Sequence, residues 1–535
     1  MRCAAVVTLA TLALSSVATA ATIKGSSRPD ALTGGPGPDV LFGYGGNDRI
    51  EGRGGNDVLN GGAGADFLSG GPGNDRITSV DGIADAVFCG PGRDIVTADL
   101  DDDLSDCEAV SRRLSTDPYH GTGAQAGTEV EPDSFAYRST VVTAFQVSRF
   151  AGGGAANLGF ATSRDAGRTW VTGVLPGLTV FSTPAGPLDL VSDPVVAFDR
   201  VHGVWLVSAV GADSDGTVLT ISRSRNGIDW SRPIVAARQS DGDYDKEWVA
   251  CDNWRTSRFA GRCYLSYLDF DRAGVMTRRS SDGGRTWSPP SGWLLPPRLQ
   301  NIANGVQPVV RPNGQLVIPF AVFESGGGPQ NEIAALRSLD GGVSFQPPLQ
   351  VAFLGALDIY SLRAPPLPSV AIDRNGVIYL SWSDCRFVLG CAKNGLVLTK
   401  SSDGVHWTAP RPIAVGGRGS TVTHLLPGVS VEGKRVAVAY YSATQPTGCN
   451  YTCDSSIEAW LSLSRDRGKT WLPAQRLTSE SVRSNWLADT GLGRMLGDYI
   501  SSSWVGGKPM AVLPLASPPA RGRFKEQIFV ATVAR

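Results

Sequence analysis

Residues 34–78 consist of five nine-residue copies that follow one another without a break: GGPGPDVLF, GYGGNDRIE, GRGGNDVLN, GGAGADFLS and GGPGNDRIT. A degenerate copy, GSSRPDALT, precedes them in the same register from Gly25. The sixth position of each regular copy is aspartate, and the eighth is leucine or isoleucine. A disordered glycine-rich linker would not keep an apolar residue at one fixed position. The pattern therefore predicts short stacked strands around an apolar interior.

The copies follow the pattern G-G-x-G-x-D-x-U-x and resemble the RTX, or hemolysin-type, calcium-binding repeats, whose strands stack as a parallel β-roll. Glycines permit left-handed turns with inward carbonyls, and each aspartate adds a carboxylate, which together give the oxygen ligands that Ca²⁺ prefers. We expect calcium as the cofactor and folding coupled to its binding. The expected calcium ligands are Asp39, Asp48, Asp57, Asp66 and Asp75. This module is assigned to residues 21–110, with a disulfide-stapled cap at its end, and residues 111–130 to a linker.

A second repeat has the pattern Ser-x-Asp-x-Gly-x-Thr-Trp and recurs about every sixty residues. Its copies, named the box turns below, are Ser163–Trp170, Ser224–Trp230, Ser280–Trp287, Ser338–Phe345, Ser401–Trp407 and Ser464–Trp471. Two copies are one residue shorter, and Asn226 and Phe345 replace the usual Asp and Trp. They resemble the Asp boxes, or BNR repeats, of sialidase-like propellers, and the resemblance covers residues 131–535. Such a box is a structural turn, since its Ser and Asp side chains bond to backbone amides.

Three alternating apolar runs precede each box turn, which predicts one four-stranded blade per repeat. A further triplet of runs at the C-terminus has no box turn, and residues just before Glu131 could supply its outer strand. Seven blades are therefore predicted, with six blades and an extra hairpin as the alternative, because true sialidases have six. With 65 glycines and 34 prolines, the fold class is all-β: a parallel β-roll followed by a β-propeller.

The chain begins with Arg2, an apolar run and the small residues Ala18-Thr19-Ala20. This is typical of a signal peptide, assigned to residues 1–20, with a retained N-terminal anchor as the alternative. No later apolar run is long enough to span a membrane. Forty-nine basic residues nearly balance fifty acidic ones, so no global charge favours nucleic acid. We expect a secreted, extracellular protein.

Eight cysteines remain once Cys3 leaves with the signal peptide, and they form four close pairs. The expected disulfides are Cys89/Cys107, Cys251/Cys263, Cys385/Cys391 and Cys449/Cys453. Cys449 and Cys453 also have the spacing of a zinc site, but no second pair of Cys or His accompanies them. An exported chain favours disulfides over zinc.

Propeller ligands usually meet the mouth of the central channel, where the innermost strands begin. The candidate site residues there are Asp193, Glu247, Arg494, Asp498 and Tyr499. Closure of the ring should bring them together, and clustered carboxylates should raise at least one pKa. The resemblance implies an arginine triad, a Tyr nucleophile with a Glu and an acid/base Asp. The family's Arg-Ile-Pro motif is absent, so no catalytic residue is carried over from it.

Two functions remain open. One is a sialidase-type glycoside hydrolase acting on sialylated or related glycans, with Tyr499 as nucleophile and Glu247 or Asp498 as base. The other is a non-catalytic propeller that binds glycan or glycoprotein outside the cell. An enzyme of the first kind would place a carboxylate within hydrogen-bond reach of Tyr499 and several arginines in one pocket. The fold does not decide between them, and the sequence leaves the substrate and the oligomeric state open.

Overall fold

The fold was analysed in a computed structural model of the chain. It describes residues 19–240, 243–294, 303–323, 331–357, 362–417, 419, 421–444 and 454–533. The chain forms two compact units, Met1–Val96 with Asp101–Glu108, and Thr97–Leu100 with Ala109–Arg535. The described residues are strands, turns and loops, with short 3₁₀ turns at Leu389–Cys391 and Ser484–Trp486. None of the described helices is long and apolar enough to cross a membrane.

The first unit is a parallel β-solenoid. Its strands are β1 (Thr22–Lys24), β2 (Ala31–Thr33), β3 (Val40–Phe42), β4 (Arg49–Glu51), β5 (Val58–Asn60), β6 (Phe67–Ser69), β7 (Arg76–Thr78), β8 (Ala86–Phe88), β9 (Ile95–Ala98) and β10 (Asp103–Ser105). Odd and even strands form two separate parallel stacks, with Leu41 opposite Leu59 in one and Ile50 opposite Leu68 in the other. Two copies thus make one turn of the solenoid. The eighth-position side chains are fully buried between the stacks, which confirms the predicted apolar interior.

The second unit consists of antiparallel meanders. It starts with β11 (Ala109–Arg113), followed by β12 (Gln125–Tyr137), β13 (Thr140–Arg149), β14 (Ala155–Ser163), β15 (Val171–Val174), β16 (Leu190–Asp199), β17 (Val204–Asp213), β18 (Gly216–Ser224), β19 (Ile234–Ser240), β20 (Tyr244–Cys251), β21 (Cys263–Asp269), β22 (Gly274–Ser280) and β23 (Ser291–Leu294). Within each meander, successive strands pair with one another in antiparallel fashion.

The middle of this unit continues with β24 (Ala303–Asn304), β25 (Val309–Val310), β26 (Leu316–Val322), β27 (Glu332–Ser338), β28 (Gln346–Phe353), β29 (Leu362–Arg363), β30 (Ser369–Ile372), β31 (Ile378–Asp384), β32 (Gly395–Ser401) and β33 (Arg411–Pro412). The last strands are β34 (Val422–Glu432), β35 (Arg435–Thr444), β36 (Ser456–Ser464), β37 (Gln475–Arg476), β38 (Val482–Arg483), β39 (Ala488–Thr490), β40 (Gly493–Met495), β41 (Ser501–Val505), β42 (Lys508–Ala516) and β43 (Glu526–Val533). The inner strands contact one another in a closed order, β12, β16, β20, β25, β30, β34, β41 and back to β12. The unit is therefore a propeller-like ring around a central channel.

The number of blades differs from the prediction. Four of the hydrogen-bonded sheets are single meanders: β20–β23, β24–β28, β30–β33 and β34–β38. The remaining sheet joins three meanders, because Ala155 pairs with Val191 and Thr128 pairs with Glu526. Among the described residues, the predicted count of seven blades, or six, is thus corrected to five blade sheets, and the short strands β29, β39 and β40 form a further small sheet. Pairing between neighbouring meanders merges blades that the repeat period counts separately.

The outer strand of the C-terminal meander comes from early in the unit. β11 pairs antiparallel with β43, from Ala109 opposite Val533 to Arg113 opposite Phe529. The end of β11 and the start of β12 fall within residues 111–130, the segment assigned to a linker. Pairing with β43 supplies the backbone hydrogen bonds that a short polar segment cannot make alone. The ring is therefore closed by strands from both ends of the unit.

Three of the four predicted disulfides are confirmed. They are Cys89–Cys107, Cys251–Cys263 and Cys385–Cys391, with Cα–Cα distances of 5.2, 4.0 and 4.8 Å. Cys251 and Cys263 face each other in the hairpin of β20 and β21. The pair Cys449/Cys453 and residues 1–18 of the predicted signal peptide lie outside the described residues.

The box turns have the geometry expected of structural turns. In the first, Ser163 Oγ accepts a hydrogen bond from the Gly167 amide at 2.7 Å, and Asp165 accepts from the Arg168 and Thr169 amides. These bonds lower the pKa of Asp165 to about 2, chiefly through the Thr169 amide. Each carboxylate is thus fully occupied in holding its own turn.

Candidate functional site

The inner strands carry a shared irregularity on the channel side. β12, β16 and β20 each break register where a non-glycine residue has a positive φ: Glu131 (53°), Asp193 (51°) and Lys246 (48°). Such a backbone conformation costs about 1–3 kcal/mol and persists only where its surroundings impose it. A bulge also re-aims the side chain of the strand. The fold thus tolerates a local cost in free energy at Glu131, Asp193 and Lys246, and the bulges set the direction of these three charged side chains.

Lys246 is the centre of a buried ionic cluster, named the central cluster and formed by Glu131, Asp193, Lys246, Arg363 and Asp498. The Lys246 Nζ atom contacts Asp193 Oδ1, lies 2.8 Å from Asp498 Oδ2 and 3.5 Å from Glu131 Oε1. Arg363 binds Asp498 through both oxygens, at 2.8 Å for Nε–Oδ1 and 2.5 Å for Nη2–Oδ2. Lys246 and the three acids are buried. Five charged side chains from distant parts of the sequence therefore share one site.

The cluster holds its groups in different protonation states. Burial alone would lower the pKa of Lys246, but Asp193, Asp498 and other carboxylates raise it well above its usual range. Burial would raise the pKa of Asp498, yet Lys246 and Arg363 hold it well below normal. For Glu131, burial together with Asp193 and Asp498 outweighs Lys246 and raises the pKa to about 7. The site thus contains a fixed cation, a fixed anion and a carboxyl group that titrates near neutral pH.

Four members of the central cluster, all except Asp498, line an open depression of about 310 Å³, named the mouth depression. Arg149, Asp243, Asp245 and Arg363 line it together with Glu131, Asp193 and Lys246. Burial is the main cause that raises the pKa of Asp245 to about 7. Arg149 is 2% exposed, and its Nε atom has no hydrogen-bond partner among the described residues. The depression therefore offers both cationic donors and carboxylate acceptors to a ligand.

Four of the five predicted site residues come together. Asp193, Glu247, Asp498 and Tyr499 line one small cavity of about 20 Å³ directly behind Lys246. Asp193 and Asp498 belong to the central cluster, whereas Glu247 and Tyr499 lie deeper. Burial, and then the charge of Asp193, raise the pKa of Glu247 well above normal. The Ser208 hydroxyl and the charge of Lys246 act in the opposite direction, but burial outweighs them.

Tyr499 is buried, and its hydroxyl group already makes a hydrogen bond within the protein. Its OH donates a hydrogen bond to the Pro194 carbonyl at 3.1 Å, and its ring packs edge-on against Trp248 with centroids 5.5 Å apart. Burial and the surrounding carboxylates raise the pKa of the Tyr499 hydroxyl well above its usual value. The tyrosine–carboxylate hydrogen bond of a sialidase-type nucleophile is thus not formed at this residue.

Arg494 lies apart from the other four predicted residues. Its Nη1 atom donates to the Leu487 carbonyl at 2.9 Å and pairs with Asp489 Oδ2 at 3.0 Å. Asp489 lies in the hairpin of β39 and β40, and Leu487 immediately precedes it. Arg494 therefore holds this hairpin together.

The sequence indicated Lys246 as one of the polar residues at inner-strand starts without selecting it for the site, and it did not indicate Arg363 or Arg149. Lys246 stands next to Glu247 at an inner-strand start, and the alternating charges of Asp245, Lys246 and Glu247 were the available signal. Arg363 lies in the short strand β29, which pairs with β40, and Arg149 ends a second strand. No pattern in the sequence marks these two positions.

The aspartates of the solenoid fit calcium. One oxygen of Asp57 accepts the Asp39 amide at 2.7 Å, while its Oδ2 is buried without a partner among the described residues. The same holds for the Oδ2 atoms of Asp48, Asp66, Asp75, Asp85 and Asp94. A methyl group on Gly52 would collide with both Asp57 Oδ2 and the Gly70 carbonyl, so these two oxygens face one spot. A row of buried, unpartnered carboxylate oxygens beside carbonyls suits a Ca²⁺ ion.

Asp39 differs, since the Ala21 amide and the Gly35 amide bond to its two oxygens. No group of three Asp, Glu, His or Cys side chains suited to a metal occurs in the described parts of the chain. Backbone carbonyls would therefore supply a large share of the ligands in each solenoid turn. When bound, calcium would neutralise the stacked carboxylates.

Comparison with known proteins identifies the first unit. The RTX calcium-binding nonapeptide repeat family matches residues 24–59 and 51–82. These residues are RTX calcium-binding repeats. The RTX match spans a small part of the chain, and a search of the curated proteins found no match.

Solved structures similar to this chain include glycan-active proteins. The intramolecular trans-sialidase from Ruminococcus gnavus is 13% identical, with a TM-score of 0.42 and coverage of 61% of this chain and 93% of that one. An ulvan lyase of polysaccharide lyase family PL25 is 12% identical, with a TM-score of 0.44 and coverage of 77% and 95%. A protein of unknown function from Dyadobacter fermentans is 16% identical, with a TM-score of 0.40 and coverage of 66% and 98%.

Proposed function

We propose that this protein is secreted, that calcium orders its RTX repeats, and that its propeller binds an extracellular glycan in the mouth depression. The observation that carries the proposal is the central cluster, four members of which line that depression. Burying charged groups costs several kcal/mol per ion unless they are paired, and strongly perturbed groups gather at functional sites more often than elsewhere. Here they converge from separate strands onto one open cavity.

The chemistry of the lining suits a polyhydroxylated ligand. Carboxylates such as Asp243 and Asp245 accept hydrogen bonds from hydroxyl groups, while guanidinium groups donate to sugar oxygens or to a ligand carboxylate. Arg149 is the strongest case, because its Nε donor is buried without a partner and lines the depression. A ligand oxygen there would remove the cost of an unsatisfied donor.

The geometry favours binding over hydrolysis through Tyr499. A tyrosine nucleophile needs a base that removes its proton and a lowered pKa. The Tyr499 hydroxyl instead bonds to a backbone carbonyl, and its pKa is raised. Tyr499 and Glu247 line the small cavity and not the mouth depression, and we assign them a structural role.

A second candidate function is glycoside hydrolysis by carboxyl groups alone. Glu131 and Asp245 line the mouth depression, and each has a pKa of about 7. A carboxyl group that titrates near the working pH is suited to general acid or base catalysis. In this case activity would depend on Glu131 and Asp245 and be insensitive to Tyr499→Phe.

The test is binding of calcium-loaded protein to a glycan panel that includes 3′-sialyllactose and lactose, with release of a fluorogenic sialoside measured in parallel. Wild type should bind at least one glycan, and Arg149→Gln and Asp245→Asn should each weaken that binding by about tenfold, equivalent to about 1.4 kcal/mol. Arg238→Gln is the matched control, because Arg238 is an exposed arginine that pairs with Asp213 and does not line the depression. Binding unchanged in both depression variants would refute the proposal.

A further inference from the structure

The box turn of the second meander differs from the other five in charge. Asn226 stands where the other copies have aspartate. Asn226 Oδ1 accepts the Ile228 and Asp229 amides at 2.9 and 2.8 Å, so the turn is kept while its carboxylate is lost. The Asn226 amide in turn donates to Asp229 Oδ2 at 2.6 Å, which occupies part of the nearest carboxylate.

A cavity of about 530 Å³ opens at this turn and is named the box cavity. Arg223, Arg225 and Arg285 line it with His202, Asp229 and Trp230. Three arginines against one aspartate leave an excess of two positive charges on the lining, on a chain whose net charge is −1. The volume falls within the range of small-molecule and oligosaccharide sites, about 300–1,000 Å³.

The three arginines have no carboxylate partner within ion-pair distance among the described residues. Arg223 uses only Nε, which donates to the Gly283 carbonyl at 2.7 Å. Arg285 Nη1 donates to the backbone carbonyl of Asp282 at 2.9 Å. The Asp282 carboxylate is occupied by the Arg285 and Thr286 amides and the hydroxyls of Ser280 and Thr286.

The three arginines lie close enough to repel one another, unlike charges that are scattered over a surface. Burial, and then the charges of Arg285 and Arg225, lower the pKa of Arg223, so the three guanidinium groups are close enough to interact. Clustered like charges cost free energy that a bound anion would recover. Asp282 and Asp199 act on Arg223 in the opposite direction, and Asp199 Oδ2 already lies 2.5 Å from the His202 ring nitrogen Nδ1.

We propose that the box cavity binds a sulfated polysaccharide, through sulfate esters held by Arg223, Arg225 and Arg285. Guanidinium groups present paired donors that match a tetrahedral oxyanion. The positive charge is confined to one cavity and does not form the extended basic track that carries a nucleic-acid backbone. This site is separate from the mouth depression and does not depend on the function proposed there.

The experiment measures binding of the calcium-loaded full chain to dextran sulfate, unsulfated dextran and duplex DNA at about 150 mM salt, where surface charges are screened beyond about 8 Å. Wild type should bind dextran sulfate in preference to the other two. The triple variant Arg223→Gln, Arg225→Gln, Arg285→Gln should bind it at least about tenfold more weakly. Asn226→Asp, which restores the usual carboxylate, should also weaken binding.

The matched control is Arg164→Gln with Arg168→Gln, which removes exposed arginines from the first box turn. This control should leave binding unchanged. If the triple variant is unstable, the single variant Arg225→Gln replaces it in the test. Arg225 is exposed, so this substitution should not disturb the fold. The proposal is overturned if wild type fails to bind dextran sulfate, if the control loses as much affinity as the triple variant, or if DNA binds as tightly.

Discussion

Replacing Lys246 by methionine should destabilise the propeller in a pH-dependent way. The substitution removes the cation that contacts Asp193, Asp498 and Glu131. Removing one partner of a buried ion pair costs about 3–5 kcal/mol, because the remaining charge is left uncompensated. Arg363 still neutralises Asp498, so we expect the loss at pH 8 to lie near the lower end of that range.

The loss of stability caused by Lys246→Met should be smaller at pH 5.5 than at pH 8. Without Lys246 the pKa of Glu131 rises further, so Glu131 takes up a proton as the pH falls and no longer carries an uncompensated charge. Glu131 has a pKa of about 7 even with Lys246 present. Wild-type Lys246, with a raised pKa, and Asp498, with a depressed one, do not titrate between pH 5.5 and 8. Because wild-type Glu131 itself titrates in this range, the difference in the loss between pH 8 and pH 5.5 reports how far the substitution raises the pKa of Glu131.

Urea unfolding followed by tryptophan fluorescence measures this effect on the propeller alone, because all 13 tryptophans lie at or after Trp170. Calcium is kept saturating throughout. Lys508→Met is the control, since Lys508 is exposed at the start of β42, and it should change stability by less than about 0.5 kcal/mol. The prediction is refuted if Lys246→Met loses the same free energy of unfolding at pH 5.5 and at pH 8, or loses no more than the control.

Three further predictions concern the rest of the molecule. Asp57→Ala with Asp66→Ala should weaken calcium binding and reduce the calcium-induced circular dichroism signal of the full chain, because both Oδ2 atoms are buried and unpartnered; an unchanged calcium titration would contradict the assignment. Burial raises the pKa of Glu129 to about 8 from its usual 4.5, so the folded state binds the extra proton between these values and stability should fall as the pH rises from 5 to 8. Glu129→Gln should flatten that slope by up to about 1.4 kcal/mol per pH unit while the control Glu432→Gln, at a partly exposed residue, does not, and equal slopes would count against it. Loss of the Cys251–Cys263 disulfide by double substitution to alanine should cost about 2–4 kcal/mol in the same urea assay, whereas an unchanged midpoint would show that the β20–β21 hairpin holds without it.

Periodic features of this protein could be predicted from its sequence, and contacts between distant segments could not. The nine-residue period fixes which side chains face the solenoid interior, so Leu41 and Leu59 were predictable as buried neighbours. The box turns marked the ends of the third strands for the same reason. The number of separate sheets was wrong because single pairings, such as Thr128 with Glu526, depend on how the ring closes.

The candidate site shows the same limit. Polar residues at inner-strand starts indicated Asp193 and Asp498, and the structure places both on Lys246. Arg494, chosen from its place in the motif RMLGDYI, instead binds the hairpin that precedes that strand. Arg363 could not be found, because its pairing with Asp498 joins residues 135 positions apart.

The location of glycan binding is the central claim, and hydrogen–deuterium exchange of the calcium-loaded protein tests it most directly. The glycan bound most tightly by wild type is added at saturation, and protection is compared across the chain. We predict slower exchange in peptides that cover residues 149–154 and 243–247, which line the mouth depression, and no change at the box turns. Protection confined to the box turns, or no glycan bound by the wild-type protein, would contradict the account.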